Sequence, residues 1–171
     1  LSAFSAWLGL LAFSLQIYFD FSAYSEMALG LGRFFGIRLP ENFASPYRAI
    51  NIIDFWRRWH VTLSTFFKKF LYIPLGGSRS GFFRKYSNLI LTMTIAGLWH
   101  GANYTFMLWG LAHGTLLAIN HLWKNSPIKL PTGLSWALTF LSVTLCWTLF
   151  RTDNLNESVR YFQALFGEFG W

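Results

Sequence analysis

The 171 residues are 54% hydrophobic and 20% aromatic but only 12% charged, about half of the roughly 25% charged residues usual in a soluble globular domain. That composition excludes a soluble domain and puts the chain in a bilayer. A formal net charge of +7 raises the question of nucleic acid, but no nucleic-acid-binding motif accompanies it, and none is expected as a partner.

The chain opens on Leu1, already inside an apolar run, with no initiator Met, basic n-region or small-residue cleavage site. No signal peptide needs setting aside, and a piece of a longer protein is expected. A span of about 20 apolar residues crosses a hydrocarbon core of roughly 30 Å. By that ruler residues 3–19 form a first span, followed by 21–36, where Asp20 and Glu26 interrupt an otherwise apolar stretch.

Arg33, Arg38, Arg48, Arg57, Arg58, Lys68, Lys69, Arg79, Arg84 and Lys85 are 10 of the 14 basic residues, opposed between residues 33 and 85 only by Glu41 and Asp54. The positive-inside rule puts this region on the cytoplasmic side, against lipid headgroups or an anionic carrier such as a nucleotide thioester. Within it, "NIIDFWRRWHVTLSTFFKKFLYIPLGG" predicts a helix over 52–72 lying in the headgroup plane. Asn51 caps it, and Ile52, Trp56, Trp59, Leu63, Phe66 and Phe70 make one apolar stripe at spacings of three and four. Arg57, Arg58, Lys68 and Lys69 fall opposite, and Pro74 with Gly76 and Gly77 ends it. His60 sits on the flank shared with Arg57 and Ser64; periodicity alone leaves open a hydrogen-bonded interfacial histidine or a site residue.

Residues 88–123 carry no formal charge, and as one helix at 1.5 Å per residue they would reach about 54 Å, too far for one crossing. A break at Gly101-Ala102-Asn103 is expected, giving segments 88–100 and 104–123. His100 stands at that break. It is either a satisfied contact between helices or a functional group, since ionisable side chains at membrane depth are costly and irregular backbone there lines a cavity or is buried in protein. His113 and His121 read as packing or interfacial residues. Residues 134–150 supply a last span, in which Cys146 is a packed, inert thiol with no disulfide partner. Asn154 with Glu157 then makes a capping box for an interfacial helix over 155–167, with apolar residues at 155, 159, 162 and 166.

Three stretches, "QIYFDFSAYSEMALGLG", "ENFASPYRAINIIDFWRRWHVTLSTFFKKFLYIPLGG" and "LTMTIAGLWHGANYTFMLWGLAHG", together resemble the membrane-bound O-acyltransferase (MBOAT) family, in particular its alginate O-acetylating branch. The resemblance runs from about Trp7 to Gly167. It implies an all-α, polytopic membrane protein: residues 1–171 would be part of one helical bundle with interfacial and broken or re-entrant helices. It implies an O-acyltransferase of the bacterial inner membrane that moves an acetyl group for O-acetylation of an exported polysaccharide such as alginate. The alternatives are D-alanyl transfer to teichoic acid, or a transporter or pore subunit. The last needs a paired ion site, and no second acidic cluster joins Asp20 and Glu26.

The family's histidine in "GLWHG" maps onto His100, implied to be catalytic, and that in "WRRWH" onto His60, implied to assist. Asp20, Trp56, Arg57, Arg58, Trp59, Ser64, Trp99 and Asn103 are the expected substrate-binding set, with no metal and no bound cofactor. Acetyl-CoA is the expected donor, membrane lipid surrounds the chain, and a periplasmic acyltransferase partner is expected to complete delivery. One departure stands out: relatives carry an acidic residue where this chain has Lys69, so no role of that carboxylate carries over.

Overall fold

The first helix, α1 (Ala3–Phe34), runs unbroken for 32 residues. Ser2 starts it by accepting a hydrogen bond from the Ser5 N–H, and nothing at Asp20 interrupts it. The two segments expected on either side of Asp20 are therefore one helix. Asp20 and Glu26 both lie at exposed positions of this helix. The helix packs through Ala6, Leu10 and Ser14 in its first half and through Ser25, Leu29 and Gly32 in its second. The Ser14 hydroxyl bonds back to the Leu10 carbonyl at 2.8 Å, and the Ser14 carbonyl accepts from the Tyr47 hydroxyl at 2.6 Å.

This computed structural model describes residues 1–79, 81–124 and 126–170; Ser80, Asn125 and Trp171 lie outside them. Among the described residues it is all-helical. After a single turn at Pro46–Arg48 come α2 (Ile52–Arg58) and α3 (Val61–Phe67), with a wide π turn over Lys68–Tyr72. Asn51 caps α2 by accepting from the Asp54 N–H at 2.8 Å. The single helix expected over 52–72 is broken at His60, whose φ of 44° and ψ of 57° are left-handed. The break also rotates the expected apolar stripe. Ile52, Phe55, Trp59 and Phe67 are buried, while Phe66 and Phe70 face outward.

Next come α4 (Phe82–His100) and α5 (Tyr104–Trp123), a hairpin whose break falls at Gly101-Ala102-Asn103. Asn103 caps α5 by accepting from the Thr105 N–H at 3.2 Å. Two glycines set how close the arms lie. A Cβ on Gly97 would collide with the Phe106 carbonyl oxygen, and one on Gly110 with that of Met93. Both obstacles are backbone, so neither can swing aside. Finally α6 (Thr132–Arg151) and α7 (Leu155–Leu165) close the core. Asn154 caps α7 by accepting from the Glu157 N–H at 3.0 Å. The buried face of α7 is Ser158, Ala164 and Leu165, whereas Leu155, Val159 and Phe166 stay exposed. That outward apolar face suits a lipid interface.

Two helices, α1 and α6, are long and apolar enough to cross a membrane. The core joins α1, α2, α5, α6 and α7 around Leu10, Phe55, Trp59, Trp109, Val143 and Trp147, with the Cys146 thiol packed among them.

Candidate active site

A cavity of about 560 Å³ opens between α1, the α2–α3 break and the α4–α5 hairpin. It brings His60 and His100, 40 positions apart in sequence, onto one wall system. Trp56, Arg57, Trp59 and Ser64, all expected at the site, line it as well. So do four groups that sequence reasoning did not select: Lys68, Tyr72, Lys85 and His121. Most of the remaining lining is apolar or aromatic, including Phe21, Leu63, Trp109 and Phe150.

His100 reaches the cavity because α4 stops there. Its ring meets Trp109 edge-on, with centroids 5.4 Å apart and planes at 86°, and meets Phe150 at 5.1 Å and 74°. No hydrogen bond holds either ring nitrogen among the described residues. The contact expected of a purely structural histidine is missing, and the imidazole is held by aromatic surfaces with its nitrogens unspent.

His60 is held differently. The oxygen of the Asn42 side chain faces three groups: the Thr62 N–H at 3.2 Å, the Thr62 hydroxyl at 2.6 Å and His60 Nδ1 at 3.3 Å. The Val61 N–H donates to the Asn42 carbonyl at 3.1 Å, pinning the break to the same loop. The His60 ring also stands edge-on to Phe21 at 4.6 Å and 89°. Burial lowers its pKa from 6.5 to about 4, and the neighbouring His100 adds to the effect. The imidazole is therefore neutral at ordinary pH.

Four of the expected binding residues lie elsewhere. Arg58 is tied to Asp54 at 2.8 Å and to the Ala44 carbonyl at 3.2 Å, since four residues of helix bring the first pair together. Asp20 is exposed on α1. Trp99 is 61% exposed and outside the lining, and meets two lining residues, His100 and Phe67, edge-on. Asn103 donates to the Asp153 carbonyl and shapes the hairpin rather than the cavity. Lys69 is exposed over the Phe70 ring and outside the lining.

His113 is wholly buried as expected of a packing residue. It accepts from the Trp56 indole at 3.3 Å and lies parallel to Phe55. His121, expected to pack or sit at an interface, instead lines the cavity near its cationic side with Arg57 and Lys85. Charge patterning marked that side in the sequence.

A helical membrane protein with two histidines lining one mostly apolar cavity is the class these features define. The chain belongs to the membrane-bound O-acyltransferase family, whose profile matches residues 1–154. It is 48% identical over 171 residues to "Peptidoglycan O-acetyltransferase" of Helicobacter pylori, covering 98% of this chain and 32% of that protein. To "Probable alginate O-acetylase AlgI" of Pseudomonas aeruginosa it is 49% identical over 167 residues, covering 97% of this chain and 32% of that protein. To "Teichoic acid D-alanyltransferase" of Streptococcus thermophilus the identity is 34% over 118 residues, covering 65% of this chain and 28% of that protein. The chain thus spans about a third of the length of the first two relatives.

Proposed function

We propose that the protein is an O-acyltransferase of the bacterial inner membrane that passes an acetyl group toward hydroxyls of an exported polysaccharide. The observation that carries this reading is the pairing of His100, whose ring nitrogens make no hydrogen bond among the described residues, with His60 in the lining of one cavity. The names of the relatives at 48–49% identity support acetyl as the group moved, and the lower 34% to a D-alanyltransferase makes D-alanyl the second choice.

In this reading acetyl-CoA enters from the cytoplasmic side. Arg57, Lys68 and Lys85 would meet its phosphates at the mouth, while the apolar walls exclude water from the thioester. His100 takes the proton of the attacking hydroxyl as its oxygen forms a bond to the thioester carbonyl carbon. Collapse of the tetrahedral intermediate breaks the C–S bond, and the imidazolium returns the proton to the departing thiolate. His60 supports the site beside it. The acceptor is a polysaccharide hydroxyl or a group that relays the acetyl to one, through a periplasmic acyltransferase partner.

Full-length protein in membrane vesicles, supplied with acetyl-CoA labelled in the acetyl group, tests the reaction. Label is expected in alkali-labile esters on the polymer. No acetyl ester with wild-type protein, or D-alanyl ester instead, rejects the acetyl reading. Sidedness is checked separately: a cysteine replacing Ser78, which lines the cavity, is expected to react with a membrane-impermeant thiol reagent from the cytoplasmic side only.

A further inference from the structure

The break at His60 is unusual because no glycine, proline or asparagine occupies it. A non-glycine residue held at positive φ persists only where its surroundings over-determine it. Here the surroundings are the Phe21 ring, the Asn42 backbone carbonyl that accepts from the Val61 N–H, and the Asn42 side chain. The Asn42 amide could in principle present either its oxygen or its nitrogen, but the Thr62 backbone N–H lies 3.2 Å away and can only donate. The facing atom is therefore the oxygen, which can only accept.

The same oxygen is 3.3 Å from His60 Nδ1. For that contact to be a hydrogen bond, Nδ1 must carry the proton. The neutral ring then has its lone pair on Nε2, the nitrogen on the opposite side, which makes no hydrogen bond among the described residues. Asn42 is not part of the cavity lining, whereas His60 is. Nδ1 is thus turned toward the supporting loop, and Nε2 is free for the cavity.

We propose that Asn42 is a positioning residue that fixes His60 as the Nδ1–H tautomer, so that His60 enters the acyl-transfer site as a proton acceptor at Nε2. The arrangement survives a change of protonation, because imidazolium keeps the same Nδ1–H on Asn42. This rests on the acyltransferase reading for its catalytic consequence; the tautomer itself does not.

The charged and titratable groups that share the cavity lining with His60 are His100 and Lys85 from α4, Arg57 from α2, Lys68 and Tyr72 from the π turn, and His121 from α5; on the loop side Glu41 is the chain neighbour of Asn42. The lining residues from α1, Ile17 and Phe21, carry no charge. A new carboxylate at position 42 would put an anion within hydrogen-bonding distance of the ring, favouring imidazolium and moving its pKa up. A base that protonates at higher pH loses its function at higher pH.

Three variants of the full-length protein test the proposal. Asn42→Leu, which keeps the bulk and loses the acceptor, is expected to lower kcat by about 10–100-fold with KM little changed, the usual cost of losing a partner that orients a ligating or reacting imidazole. Asn42→Asp restores an acceptor; it is expected to recover kcat at alkaline pH and to shift the acidic limb of the pH profile upward. Thr62→Val removes one hydrogen bond from the same oxygen but leaves that of His60, and is expected to keep kcat within a few-fold of wild type. An effect of Thr62→Val as large as that of Asn42→Leu, or an Asn42→Asp variant as inactive as Asn42→Leu at every pH, overturns the proposal in favour of a merely structural loop. Nitrogen-15 shifts of His60 in wild-type protein read the tautomer without any activity. An Nε2–H ring overturns the proposal even in an active enzyme, whereas an Nδ1–H ring in a protein that makes no acetyl ester upholds the tautomer and rejects the acyltransferase reading.

Discussion

The segments around His100 and His60 bring an imidazole to the same cavity with opposite backbones. At His100 the helix stops at a glycine, the next turn is recapped by Asn103, and the ring is gripped by Trp109 and Phe150. At His60 the histidine itself takes the left-handed conformation, and a polar side chain from a preceding loop holds the ring by Nδ1. Aromatic packing fixes where a ring lies but leaves its nitrogens unassigned. A hydrogen bond from a fixed acceptor also decides which nitrogen holds the proton. Under the proposed function the two rings differ in one respect: either nitrogen of His100 can hold the proton, whereas that of His60 is assigned in advance to Nδ1.

The largest expected effect falls on the freer ring. His100→Gln keeps roughly the size of imidazole and a hydrogen-bonding group, but it cannot take a proton at neutral pH. Loss of acetyl transfer by on the order of 10²–10⁴-fold is expected at unchanged membrane yield. A Gln variant near wild-type activity, measured as acetyl ester on the polymer, would remove His100 from the reaction and collapse the distinction between the two sites.

A smaller effect is expected from the hairpin that delivers His100. Gly110→Ala places a methyl group against the Met93 carbonyl, so the arms of α4 and α5 must separate. Overpacking of this kind costs about 1–3 kcal/mol. Thermal unfolding in detergent should show the loss, with Gly30→Ala, whose Cβ meets nothing within 4 Å, as a control expected to leave stability intact or slightly raised.

Much of this was legible from residue pattern. The hairpin break announced itself through Gly101-Ala102-Asn103 and a length too great for one crossing, and the caps at Asn51 and Asn154 fell where side-chain chemistry required. Resemblance supplied the pairing of His60 with His100, which periodicity left open. The break between Arg58 and Val61 was hidden because "WRRWHVT" contains no helix breaker and its apolar residues recur at helical spacing. What overrides that local preference is tertiary: Asn42, 18 residues upstream of His60, has no pattern that reveals its partner. The same cause hid Lys68, which the π turn after the broken helix brings to the cavity, while Lys85 reaches it from α4.

That hidden break has a consequence whose sign separates the two readings of residues 52–72. In a continuous helix glycine is less favourable than alanine by about 1 kcal/mol, because its backbone loses more freedom on folding. At φ 44° and ψ 57° the order reverses. A left-handed conformation costs a residue with a Cβ roughly 1–2 kcal/mol and costs glycine little. His60→Gly and His60→Ala delete the same imidazole, the same bond to Asn42 and the same contact with Phe21, so their difference reports backbone conformation alone. His60→Gly is expected to be the more stable of the pair by about 1 kcal/mol, with both equally deficient in acetyl transfer. Paired unfolding curves of the two variants in one detergent measure it. Alanine ahead of glycine would restore the continuous helix and, with it, a His60 that faces the headgroups rather than the cavity.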